Sequence, residues 1–217
     1  FEHTENGIST ALRVYVGLDA AVKFSALKVR NESGRTRRLS ATGYVEWVLG
    51  DLRPKSAMHV VTEIDSLNGA FYARNAYNTE FAERIAFFDV DDITRTFSGD
   101  RAEFVGRNGT LRNPAAMTRS QLSNKVGAAL DTCAAIQVAF ELADGEEREF
   151  IFRLGAGRNL NDARKLLQSF RGLAAAHDAL EKVRQYWQHT LGAVQLETPD
   201  QSLNVLTNGR LLYQTLA

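Results

Sequence analysis

The stretch EREFIFRLGAGRNLNDARKLLQSF, Glu147–Phe170, changes its period in the middle. Glu147–Leu154 reads as a strand, joined to an earlier one at about Ala134–Glu141 by Asp144-Gly145, a strong hairpin signal. Past Gly157, the residues Ala163, Leu166, Leu167 and Phe170 fall at i, i+3, i+4 and i+7, one face of a helix. A second amphipathic helix continues through Ala176, Leu180, Val183, Trp187 and Leu191. The chain is therefore read as β before this point and α after it, an order that usually means two structural units.

Upstream, Ser9 to about Asp100 carries strand signals throughout. Leu12, Val14, Val16 and Leu18 alternate with Arg13, Tyr15 and Gly17, which predicts one apolar face. Phe24, Ala26 and Lys28 alternate with Leu27 and Val29, and Asn31-Glu32-Ser33-Gly34 reads as a turn. In RRLSATGYVEWVLG, residues 37–50, one face is Leu39, Ala41, Gly43, Val45, Trp47 and Leu49, and the other is Tyr44, Glu46 and Val48. Further strands are expected at Met58–Ile64, Ala70–Arg74, Arg84–Phe88 and Thr94–Phe97. Many strands with short turns and no helix between them argue for an antiparallel β-sandwich. Residues 106–130 read as a long surface loop of the kind that serves binding.

Downstream, Thr198, Pro199 and Gln201 predict a capped helix start of the Thr-x-x-Gln type. No Gly, Asn or Pro closes that helix before Ala217, and the chain starts at Phe1, so it reads as a segment of something longer. The expected organisation is a sandwich over 1–157, a helical linker over 158–197 and the first helix of a further domain over 198–217.

Composition narrows the functions. The chain has 217 residues, 44% of them hydrophobic, enough for a substantial core. Lys+Arg and Asp+Glu number 26 each, so no net field draws nucleic acid or anionic lipid, and no nucleic-acid partner is expected. Cys133 is the single cysteine and sits in an apolar run, which predicts a buried, inert thiol. No run of about 18 apolar residues marks a membrane span.

Motif by motif, most catalytic readings fail. Gly155-Ala156-Gly157 stands between a strand and a helix, but Leu160 replaces the third glycine of a dinucleotide turn and no parallel βαβ pattern surrounds it. His3, His59, His177 and His189 have no metal-ligand spacing, and no serine lies in a nucleophile elbow. Asp89-Val90-Asp91-Asp92 has the composition of a turn between strands. Glu46 and Glu63 lie inside strands, where each can pair with an arginine across the sheet. The segment GDRAEFVGRNGTL, Gly99–Leu111, differs: Arg101, Arg107 and Asn108 offer the forked and two-way hydrogen bonding that holds sugar hydroxyls or phosphate. Trp47, Tyr72 and Tyr77 are candidate sugar-stacking rings, with Trp47 better placed in the core.

GYVEWVLG (43–50), VVTEID (60–65), ARNAYN (73–78), GDRAEFVGRNGTL (99–111) and LGAVQLETPDQSLNVLTN (191–208) follow one another along nearly the whole chain. This series resembles glycoside hydrolase family 94, the inverting phosphorylases, and most of all its branch that makes cyclic β-1,2-glucan. The resemblance implies a super-sandwich, a helical linker and then an (α/α)6 barrel whose general-acid aspartate would lie beyond Ala217. It implies no catalytic residue, metal or cofactor in this chain, with phosphate as co-substrate of a complete enzyme only. Its implied substrate-binding residues are Arg74, Asn75, Arg101, Arg107 and Asn108. Its implied partners are a β-glucan oligosaccharide, the catalytic barrel of the parent enzyme and a second copy in a homodimer. The parent would be a bacterial inner-membrane protein, with this region soluble on the cytoplasmic face. Arg210 stands where the family has tryptophan, on the stripe Leu203, Leu206, Arg210, Tyr213, so either this helix is undocked or Arg210 has a carboxylate partner. Two other readings stay open: a self-sufficient carbohydrate-binding module, or a structural domain that dimerises without binding glycan.

Overall fold

The computed structural model describes residues 1–192, 195–210 and 214. Ten antiparallel strands form two sheets. The strands are β1 (Glu2–Glu5), β2 (Ile8–Val16), β3 (Val22–Asn31), β4 (Arg37–Glu46), β5 (Val61–Ile64), β6 (Phe71–Arg74), β7 (Ile85–Val90), β8 (Arg95–Asp100), β9 (Thr132–Leu142) and β10 (Glu147–Gly157). The large sheet runs β1-β2-β3-β10-β7-β6-β5 and the small one β4-β9-β8. The fold is mainly β and sandwich-like, as expected.

Between the sheets, Ala41, Trp47, Ile136 and Phe140 of the small sheet and its extension meet Val29, Phe71, Phe88 and Phe152 of the large one. The face expected for residues 39–49 is the one buried here. Gly43 belongs to it for a steric reason: a Cβ there would stand 2.5 Å from the Phe152 ring.

The opposite face of the large sheet is covered by α3 (Leu160–Ser169) and the first turns of α4 (Leu173–Leu191). Ala163, Leu167, Ala176 and Ala179 pack there on Tyr15, Phe24, Tyr72, Phe87 and Ile151. Gly157 allows this close approach, and Gly155 makes room for the Phe87 ring and the Ala21 carbonyl. A Cβ at Gly157 would lie 2.3 Å from the Ala163 backbone nitrogen, and one at Gly155 2.4 Å from the Phe87 ring. Gly157 therefore serves helix-on-sheet packing, and Gly155 serves packing at the sheet itself. The molecule has three layers: small sheet, large sheet, helices.

An ion network ties the helical turn to the sheet. Arg153 is completely buried in β10. It donates to Asp89 at 3.0 Å, to Asp91, and to the Phe170 carbonyl at 2.7 Å. Arg95 meets Asp89 from the other side at 2.5 Å. The amide of Gly172 donates to Asp91 at 2.9 Å. Asp89 thus belongs to strand β7 and its core, and only Asp91 and Asp92 lie in the expected turn.

Three sequence expectations need correction. Val14 and Val16 are 47% and 56% exposed, and the buried residue of that strand is Tyr15. The small sheet is too narrow to cover β2, whereas Tyr15 points to the helices, stacks on Phe24 and donates to the Ala176 carbonyl at 2.7 Å. Residues 106–130 are no simple surface loop: Ala116 and Leu122 are buried with Phe104, Val105 and Ala135 on the outer face of the small sheet. The last helix, α5 (Gln201–Val205), is capped by Asp200, whose carboxylate accepts from the amides of Ser202 and Leu203. Thr198 instead donates to the Asp200 carbonyl at 3.0 Å. Short elements also went unread: β1, a four-residue helix α1 (Arg53–Ser56) and a five-residue helix α2 (Arg101–Val105).

Past α5, a wider π-type turn spans Leu206–Arg210, with Arg210 exposed. Leu203 and Leu206 are exposed too. Tyr213, the last residue of the stripe, lies outside the described residues.

Candidate functional site

The Gly99–Leu111 segment is built by anchoring one half and presenting the other. Asp100 ends β8 and caps α2, accepting from the Ala102 amide at 3.1 Å and from Lys125 at 2.7 Å. Phe104 and Val105 turn inward, and Phe104 stacks on Tyr44 at 4.7 Å. Gly106 then adopts a positive φ of 84°, and a Cβ at Gly109 would collide with the Val105 carbonyl oxygen at 1.8 Å. The segment thus requires glycine at a left-handed turn and at a close approach.

Arg101 is held within the fold. Its Nε donates to Glu46 at 2.7 Å, and Asp131 lies 3.6 Å from its Nη1. Arg53 of α1 bonds Glu46 at 3.0 Å and Asp131 at 2.5 Å, and the Tyr44 hydroxyl donates to Glu46 at 2.8 Å. Partial burial pushes the Glu46 carboxyl up, but the bonds from Arg101 and Tyr44 and the charges of Arg53 and Arg101 hold it below its usual range. Glu46 therefore has arginine partners, but they come from α1 and α2 and not from across the sheet; Glu63 has none among the described residues. Arg107 and Asn108, by contrast, are exposed and form no side-chain bond to any described residue.

Arg74 and Asn75 stand elsewhere. Asn75 is buried, its amide donating to the Leu49 carbonyl at 2.9 Å and its oxygen accepting from the Tyr77 amide at 3.1 Å. Arg74 is exposed at the end of β6 on the same face as Tyr72, the helix side of the large sheet. The structure does not bring Arg74 together with Arg101, Arg107 and Asn108, which flank the outer face of the small sheet.

Of the candidate stacking rings, Trp47 and Tyr72 are buried, at 4% and 1% exposure. Tyr77 is 75% exposed and stacked on His59 at 4.1 Å. No cluster of three metal-ligating side chains occurs among the described residues. Burial pushes the Cys133 thiol up to about 12, which makes it the inert cysteine expected. The buried cation Arg153 was not singled out from sequence. Its signal was an arginine in an apolar central strand of a chain that also holds the Asp89–Asp92 run.

The three-layer β fold and the paired, glycine-bound Gly99–Leu111 segment define a class. Residues 1–173 match the family description "Glycosyl hydrolase 94, supersandwich domain", and the chain belongs to that family. It is similar to cyclic beta-(1,2)-glucan synthase NdvB of Rhizobium meliloti (strain 1021), 34% identical over 195 residues, covering 89% of this chain and 7% of that protein. It is also similar to N,N'-diacetylchitobiose phosphorylase of Vibrio furnissii, 26% identical over 221 residues, covering 96% of this chain and 26% of the relative. Solabiose phosphorylase of Paenibacillus borealis is 23% identical over 218 residues, covering 99% of this chain and 28% of the relative. The chain therefore spans under a third of the length of each of these relatives. No helix among the described residues is long and apolar enough to cross a membrane.

Proposed function

We propose that this chain is the sandwich portion of a bacterial cyclic β-1,2-glucan synthase. In this reading it holds no catalytic group of its own, supports the phosphorylase-like barrel of the parent enzyme, and presents Arg107 and Asn108 to the glucan. The parent would sit at the inner membrane with this region on the cytoplasmic side. What carries the reading is the division of the Gly99–Leu111 segment. Asp100, Arg101 and Glu103 are engaged by the fold, while Arg107 and Asn108 are held out with their hydrogen-bonding groups open. A rigid support below and free polar groups above suit the positioning of a sugar chain.

The test is an assay of the purified 217-residue protein with linear and cyclic β-1,2-glucans, with and without inorganic phosphate. No sugar phosphate and no shortened glucan should form under either condition. Turnover of glucan by this chain would contradict the reading.

A further inference from the structure

A groove of about 640 Å³ opens between β5, β6, the 76–84 connection and the first turn of α3. It faces the helix side of the large sheet, away from Gly99–Leu111. Ile85 and Leu160 give it an apolar floor, and Glu63, Arg74, Glu83, Asn159 and Asn161 line it. Glu63 is paired with Tyr72 across the ladder, so Arg74, two residues on, is its diagonal neighbour on the same face. Opposite charges at that spacing ordinarily join. Here neither Glu63, Arg74 nor Glu83 forms an ion pair or side-chain hydrogen bond with any described residue. Asn159 is fixed by capping α3, its oxygen accepting from the Asp162 amide at 3.0 Å, which leaves its NH₂ to donate.

The groove therefore offers acceptors and donors side by side, with two carboxylates against one guanidinium. That balance opposes an anion such as phosphate. It suits a neutral ligand whose neighbouring hydroxyls donate and accept at once. The volume falls within the range of small-ligand clefts. We infer that this groove is a second binding subsite for a neutral oligosaccharide, gripped through its hydroxyls by Glu63, Arg74 and Glu83. Naming that oligosaccharide as β-1,2-glucan rests on the function proposed above.

Calorimetric titration of the 217-residue protein with linear β-1,2-gluco-oligosaccharides tests this, comparing the unaltered chain with Arg74→Ala, Glu63→Gln and Arg107→Ala. The two groove substitutions should each weaken binding by roughly tenfold or more, the effect of losing a charged hydrogen bond. Both residues are exposed and have no ion-pair or side-chain partner among the described residues, so the thermal midpoints of the variants should stay at that of the unaltered chain. Unchanged affinity in both groove variants with loss in Arg107→Ala would overturn the groove and leave the proposed function standing. Displacement of the sugar from the groove by inorganic phosphate would overturn it as well. Failure of the unaltered chain to bind any oligosaccharide would overturn the groove and the glucan-contact part of the proposed function together.

Discussion

Asp65 lies in the turn between β5 and β6, and Arg164 of α3 donates to both of its carboxylate oxygens at 2.8 Å. The hydrogen bond from Arg164 is the largest influence on this carboxyl and holds it below its usual value, against the upward push of burial. A group whose pKa falls on folding stabilises the fold above its unfolded pKa, near 4, and loses that effect as pH drops through the folded value. Asp65→Asn should therefore lower stability at pH 7, and the gap from the unaltered chain should shrink as pH falls through the lowered folded pKa of Asp65. Urea unfolding at a series of pH values checks this; a gap independent of pH would show that the pair contributes nothing through its charge. Arg153 shows the opposite limit. It sits fully buried with two aspartates and a backbone carbonyl around it, and so serves as an internal tie between sheet and helices. The apolar strand around Arg153 hints at burial, but its partners Asp89 and Asp91 stand 64 and 62 positions away and only the folded sheet brings them together.

The strand β10 and the helix α3 meet at Gly155-Ala156-Gly157. Their contact accounts for Gly157, and the Phe87 ring and Ala21 carbonyl account for Gly155, without any nucleotide. Gly157→Ala would place a methyl group 2.3 Å from the Ala163 nitrogen, a backbone atom that cannot rotate away. The expected loss is roughly 1–3 kcal/mol, the cost of overpacking. Val14→Thr on the uncovered part of β2 should change stability by less than about 0.5 kcal/mol. Denaturant midpoints of the two variants give the comparison, and equal losses would refute the layer assignment. These elements also show what periodicity can resolve. The alternation at 39–49 identified its inner face correctly because that face packs against the large sheet, with Ala41 and Trp47 buried and Leu39, Val45 and Leu49 partly so. The alternation at 12–18 was equally regular, yet its apolar side overhangs a three-stranded sheet, a fact of sheet width rather than of local pattern. Likewise Thr198 and Asp200 are both competent caps, and the choice depends on Asn204, which accepts from the Thr198 amide at 2.8 Å and holds that residue outside the helix.

Across the whole molecule, the seven-stranded sheet is the shared wall of two cores, one facing the small sheet and one facing α3 and α4. The order of strands and helices was readable because the hydrophobic period changes once, after Gly157. The candidate site was readable only in part. Arg107 and Asn108 are open as a binding role needs, whereas Arg101 and Asn75 have identical chemistry but are engaged within the fold. Residue type cannot reveal whether a guanidinium already has a partner. The two open polar regions, Gly106–Leu111 and the groove beside Arg74, lie on opposite sides of the sandwich. The proposed role requires this domain to contact a glucan without transforming it. Amide chemical shifts of the isotope-labelled chain, followed during titration with linear β-1,2-glucan, test it most directly. The account predicts saturable shifts at Arg107 and Asn108 and around Glu63, Arg74 and Asn161, with the sugar recovered intact. A spectrum that does not move at any glucan concentration, or a sugar that is cleaved during the titration, would contradict it.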